Sequence, residues 1–161
     1  MALMVEADSH DSNTDEHPPR AVEGARILVV DDDRAMRDIV SRRLTRNGFS
    51  VHEAVSGAEL LSVLRSVTAD SWPLDGVDLI VLDNRMPGMT GLEAIRNLRA
   101  DHWETPAILM TAFPDAAVKR EAQRLGVPVL PKPFSLDLLS SAVLVVLLSR
   151  HAPADDSLSR P

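Results

Sequence analysis

Five short strand-like runs, four of them largely apolar, each followed by a stretch of helical period, fill the middle of the chain and limit the folds open to it. The runs are Arg26–Val30 (RILVV), Ser50–Ala54, Val77–Leu82 (VDLIVL), Ala107–Met110 and Val127–Leu130. Apart from Ser50–Ala54, their largely continuous apolar character is that of strands buried on both faces. Between them, Arg34–Asn47 carries Met36, Ile39, Val40 and Leu44 on one helical face and stops at Gly48. Ser56-x-x-Glu59 is a capping box opening a helix through Val67, with Leu60, Leu61, Leu64 and Val67 as its stripe. Thr90-x-x-Glu93 caps a third helix with Leu92, Ile95 and Leu98 inward. A fourth runs from Asp115 to Leu125 on Val118, Ala122 and Leu125, and Ser135 starts a last helix reaching Arg150. Strands alternating with helices predict an α/β fold: a doubly wound, five-stranded parallel sheet with helices on both faces and right-handed crossovers.

Composition removes several classes of function. The chain has no Cys, which excludes disulfide scaffolds, thiol catalysis and thiolate metal sites. Its aromatic residues are Phe49, Trp72, Trp103, Phe113 and Phe134, too few for base-stacking platforms. Residues 1–25 hold six acidic side chains and one basic one, whereas residues 26–150 hold sixteen and fifteen. The core segment is thus near neutral, and no basic field points to direct contact with nucleic acid or an anionic membrane. The most apolar stretch, Ala142–Leu148, is far shorter than the roughly 20 residues that span a bilayer. With no signal-peptide pattern at the N-terminus, the expected location is cytoplasmic.

In an open α/β sheet, ligands bind beyond the carboxyl ends of the strands. Here strand one ends at Asp31, Asp32 and Asp33, strand three at Asp83, strand four at Thr111 and strand five at Lys132. Carboxylates brought together repel unless a cation sits among them, and an all-oxygen set suits a hard ion such as Mg²⁺. One carboxylate can then act as a nucleophile, because phosphoryl transfer asks mainly for placement and charge neutralisation. Thr111 can donate to a phosphoryl oxygen and Lys132 can supply positive charge. Taken singly, each has a plainer reading: the Asp run as a helix cap, Asp83 in an Asx turn, Lys132 as a surface lysine. Their joint placement at one sheet edge favours the chemical reading.

The segments ILVVDDD (27–33), LIVLDNRMPGMTGLE (79–93), ILMTA (108–112) and LPKPF (130–134) resemble those of a CheY-like response regulator receiver domain of two-component signalling. The resemblance covers roughly residues 25–150. It implies a flavodoxin-like sheet of order 2-1-3-4-5. It further implies that Asp83 is the phosphoacceptor, receiving a phosphoryl group from a histidine kinase or phosphotransfer protein, and that Mg²⁺ is the cofactor. Asp32 would bind the metal directly, Asp31 through water, and Arg85 through its backbone carbonyl. Thr111 would swing to the acyl phosphate and Lys132 would pair with it, while Asp33 would be dispensable. The Lys132–Pro133 bond would be cis. Where many members carry Tyr or Phe three residues before the lysine, this chain has Val129, so the switch position departs from the pattern. Arg85 and Phe113 would flank the path of attacking water.

The expected organisation is an acidic disordered arm at 1–25, a receiver domain at 26–150 and a flexible tail at 151–161. Only eleven polar residues follow the last helix, which resembles a single-domain regulator signalling through a protein partner; a fragment of a longer regulator would look the same. A degenerate receiver that binds partners without phosphorylation is the alternative function. In the last helix, Leu139, Ala142, Val143, Val146 and Leu147 suffice for packing, leaving Leu144, Val145 and Leu148 as an apolar excess suited to a partner or a homodimer. Self-phosphorylation and self-dephosphorylation describe a switch rather than a conventional turnover enzyme. An aspartyl phosphatase, with Asp31 and Asp33 at the nucleophile spacing, lacks a lid segment to enclose its substrate.

Overall fold

The computed structural model describes residues 19–65 and 76–151. Most of the N-terminal arm, the tail from residue 152, Val67 and the Trp72–Pro73 connection lie outside the described residues. The elements in order are β1 (Arg26–Val30), α1 (Arg34–Arg46), β2 (Ser50–Ala54), α2 (Gly57–Arg65), β3 (Leu79–Asp83), α3 (Gly91–Ala100), β4 (Ala107–Thr111), α4 (Ala116–Arg124), β5 (Val129–Pro131) and α5 (Leu136–His151). All strand pairs are parallel, in the order β2-β1-β3-β4-β5. This is the doubly wound sheet that the apolar runs predict.

Because successive strand residues point to opposite faces, the sheet divides its side chains between two cores. Leu28, Val30, Ile80, Leu82 and Leu109 pack with Leu60, Leu64, Ile95, Leu98 and Ala122, beneath α2, α3 and α4. Ile27, Val29, Val81, Ile108 and Met110 pack with Val40, Leu44, Leu139, Val143 and Leu147, beneath α1 and α5. Every residue of β3 and β4 is buried, which explains why both are apolar up to their last residues, Asp83 and Thr111.

Local chemistry sets the helix ends. Asp33 caps α1, its carboxylate accepting from the Ala35 and Met36 amides at 2.8 and 3.1 Å. Thr90 and Glu93 form a reciprocal capping box at α3. After α1 the chain leaves through Gly48 at φ 85°, a conformation that favours glycine.

Several strand boundaries and one helix face differ from the sequence reading. β3 extends to Asp83 and β5 starts at Val129, because strand limits follow the hydrogen-bonded ladder rather than the apolar run. Ile39, expected inward, is 49% exposed: the i, i+4 row of Met36, Val40 and Leu44 faces the sheet, and Ile39 lies a third of a turn away. Before β1, Arg20–Val22 form a short 3-10 turn whose Val22 is buried in the second core, so packing begins several residues ahead of Arg26.

Candidate functional site

Strand register assembles the site. Val30 lies opposite Leu82, which brings Asp31, one residue on, level with Asp83. Asp83 pairs with Met110, and Thr111 pairs with Pro131, so Thr111 and Lys132 emerge one step further along the same rim. One carboxylate oxygen each from Asp31, Asp32 and Asp83 lies within 4.8 Å of the other two. Asp31 and Asp83 are buried and Asp32 is exposed.

Lys132 reaches across this cluster. Its Nζ donates to Asp83 Oδ1 at 2.8 Å and to Asp31 Oδ2 at 3.3 Å. The Lys132 amide donates to the Thr111 carbonyl at 2.8 Å, fixing the start of the side chain, and the Lys132–Pro133 peptide is cis. Burial pulls the lysine pKa down, but the hydrogen bond to Asp83 and the two carboxylate charges outweigh it and leave the pKa raised. Asp31 is dominated by burial, which holds its carboxyl above the ordinary range despite the Asp33 amide at 2.9 Å and the lysine charge; Asp83 adds to the upward push. The Thr111 hydroxyl oxygen accepts from the Phe113 amide at 3.1 Å, which leaves its O–H able to donate.

Of the three consecutive aspartates, the structure separates two jobs. Asp33 is the helix cap, and Asp31 and Asp32 join Asp83. The donor set fits a hard divalent cation, being carboxylate oxygens in a chain without thiols. The lysine supplies one positive charge against three carboxylates, so the cluster retains an excess of negative charge for such a cation.

The neighbouring loops add three features. Asn84 is buried, its Oδ1 accepting from the Leu92 amide and its carbonyl from Gly91, which ties the start of α3 to the strand end. Gly91 is required by close approach: a Cβ there would overlap the Asp83 carbonyl oxygen and sit 2.9 Å from Leu109 Cδ1. Arg85 lies with its guanidinium carbon 4.0 Å from the centroid of the Phe113 ring, joining the loops after β3 and β4 by a cation–π contact at the rim. The sequence reading placed both residues beside the site without their contact. It missed Gly91, hidden in a glycine-containing turn where close approach leaves no mark. It missed Arg37 too, whose guanidinium donates to the Asp31 carbonyl from α1.

The remaining predicted residues lie elsewhere. Val129 is half-buried at the start of β5, opposite Leu109 and packed against the first core. On α5, Leu144 is half-buried against the second core, while Val145 and Leu148 are exposed, at 64% and 38%.

The family model of the response regulator receiver domain matches residues 27–144. The chain belongs to the response regulator receiver family. Among its relatives, the response regulator MprA of Mycobacterium avium is 40% identical over 135 residues, covering 83% of this chain and 55% of that protein. MprA of Mycobacterium tuberculosis is 40% identical over 131 residues, covering 81% of this chain and 53% of that one. The chain thus spans about half the length of these curated relatives. Among solved structures, the chemotaxis protein CheY4 of Vibrio cholerae matches at 30% identity and a TM-score of 0.66, over 76% of this chain and 98% of that one. The response regulator TrrA of Thermotoga maritima, solved in complex with Mg²⁺ and BeF, matches at 29% identity and a TM-score of 0.65, over 76% and 99%. Among the described residues of this receiver, no helix is long and apolar enough to cross a membrane.

Proposed function

We propose that this receiver is a Mg²⁺-dependent phosphorylation switch in which Asp83 accepts a phosphoryl group from a histidine kinase or phosphotransfer protein. The observation that carries the reading is the convergence of Asp31, Asp32 and Asp83 on one point, with Lys132 bonded to the buried Asp83.

In the transfer, an Asp83 carboxylate oxygen forms the new bond to phosphorus as the bond from phosphorus to the donor's imidazole nitrogen breaks. The magnesium ion, when bound, neutralises phosphoryl oxygens and aligns them with the attacking carboxylate. Asp32 and Asp31 are the carboxylates that would hold it, with the Arg85 carbonyl as a further ligand. Lys132 keeps the Asp83 carboxylate oriented before transfer and exchanges that contact for the phosphoryl group afterwards. Its raised pKa keeps it cationic while it is paired with the carboxylates before transfer. Thr111 donates its hydroxyl proton to a phosphoryl oxygen, and Phe113 stacked under Arg85 limits access of water to the acyl phosphate.

The output is a changed surface that a protein partner reads. With Val129 where an aromatic rotamer switch is frequent, the signal passes through the Thr111 and Lys132 loops rather than through a ring. The exposed Val145 and Leu148 on α5 offer a contact for a partner or a second copy.

The test is incubation with acetyl phosphate and Mg²⁺, followed by intact-protein mass spectrometry. The wild type gains one phosphoryl group, and the gain disappears with chelator and in Asp83→Asn. A wild type that stays unmodified while correctly folded would leave the non-phosphorylated interaction module as the better description.

A further inference from the structure

Arg37 belongs to α1 but acts on the loop in front of it. Its Nη1 donates to the Asp31 backbone carbonyl at 2.7 Å, and its Nε donates to the Glu53 carboxylate at 3.0 Å. The side chain is only 11% exposed, a degree of burial that arginine reaches when it is paired. Glu53 stands on the edge strand β2, level with Val29 of β1. One guanidinium therefore ties α1, the edge of the sheet and the site loop together.

The carbonyl it holds is half of the peptide joining Asp31 to Asp32. A peptide unit is planar, so fixing its oxygen fixes the plane and limits where the flanking Cα–Cβ bonds can point. Asp31 has other restraints, from the Asp33 amide and Lys132. Asp32 has none: its carboxylate is exposed and makes no hydrogen bond or ion pair among the described residues. The position of Asp32 thus depends on its backbone, and that backbone is what Arg37 grips. A bare positive charge would have the opposite influence, since a cation beside the cluster repels a bound metal.

We infer that Arg37 is a positioning residue for the acidic pair, its grip on the Asp31 carbonyl, braced by Glu53, setting how tightly the cluster holds a divalent cation. The inference rests on reading the cluster as a cation site. Groups behind metal ligands typically alter affinity by about 10–100-fold when removed.

The test is calorimetric titration of Mg²⁺ into the full chain and into Arg37→Met, Arg37→Lys and Glu53→Gln, with metal-free melting recorded for each. Arg37→Met keeps the apolar stem but loses both donors, and its Mg²⁺ affinity falls about tenfold. Arg37→Lys keeps the charge without the two-pronged grip and recovers part of that loss; Glu53→Gln, which loosens the brace, weakens binding less than Arg37→Met. A merely structural role lowers the metal-free melting temperature and leaves affinity unchanged in the folded variants. An Arg37→Met affinity within about twofold of wild type, or tighter as charge alone dictates, overturns the inference. A wild type that binds no Mg²⁺ overturns the cation-site reading, and this inference with it.

Discussion

Replacing Asp32 with Asn removes one of three carboxylates whose oxygens lie within 4.8 Å of one another, while leaving the α1 cap, which is Asp33, untouched. At that separation two unit charges repel by about 1 kcal/mol in water and by about 3.5 kcal/mol at an effective dielectric of 20. Asp32 is exposed, so the lower figure applies to each of its two repulsions, and the positive charge of Lys132, bonded to the other two carboxylates, offsets part of their sum. The net relief is about 1 kcal/mol, which raises the melting temperature of a domain this size by about 4 °C. With Mg²⁺ present the order reverses, because the wild type gains stability from binding and Asp32→Asn gains much less. The assay is thermal unfolding of both proteins in chelator and in excess Mg²⁺. A lower melting temperature for Asp32→Asn in chelator, or an undiminished Mg²⁺ increment, would refute the reasoning.

The remaining predictions concern the frame around the cluster. Gly91→Ala forces a methyl against the Asp83 carbonyl and Leu109, and denaturant unfolding should show a loss of about 1–3 kcal/mol. Phe113→Ala removes the partner of Arg85, an exposed contact of about 0.5–1 kcal/mol, so the phosphorylated protein should lose its phosphoryl group about two- to fivefold faster by time-resolved mass spectrometry. The Asp31 carboxyl titrates higher in the folded protein than its unfolded value of about 3.9, so the folded state binds this proton more readily. Its contribution to metal-free stability is full below the unfolded value and is lost as pH rises through the folded pKa. Melts at increasing pH above about 4 should show that loss in wild type and not in Asp31→Asn.

How far the chain could be read in advance follows from what each feature writes into residue types. A buried parallel strand is spelled as an apolar run, and a residue at its carboxyl end is already at the ligand edge of the sheet. Asp31, Asp83, Thr111 and Lys132 are therefore placed together by the residue pattern alone, and the strand register agrees. Asp33 illustrates the limit, since three identical side chains in a row give no sign of which one turns back to cap α1. Arg37 is less legible still. One of several arginines on α1, it differs from Arg42 or Arg46 only in being aimed at a carbonyl and at an acid on another strand. Gly91 reads as an ordinary turn residue because contact with the Asp83 backbone arises from tertiary approach. Ile39 failed for a geometric reason: an apolar residue at the border of a helical stripe faces inward or outward according to small differences in helix rotation.

A crystal structure of the protein grown with Mg²⁺ and beryllofluoride tests most directly whether the rim of this sheet is a phosphoryl-transfer site. Density for a tetrahedral beryllium trifluoride bonded to an Asp83 carboxylate oxygen is expected, with one cation bound by Asp32 and Asp83, and Lys132 and Thr111 turned to the fluorines. Density that leaves Asp83 unmodified and paired with Lys132, with no ion among the three carboxylates at saturating Mg²⁺, would contradict it.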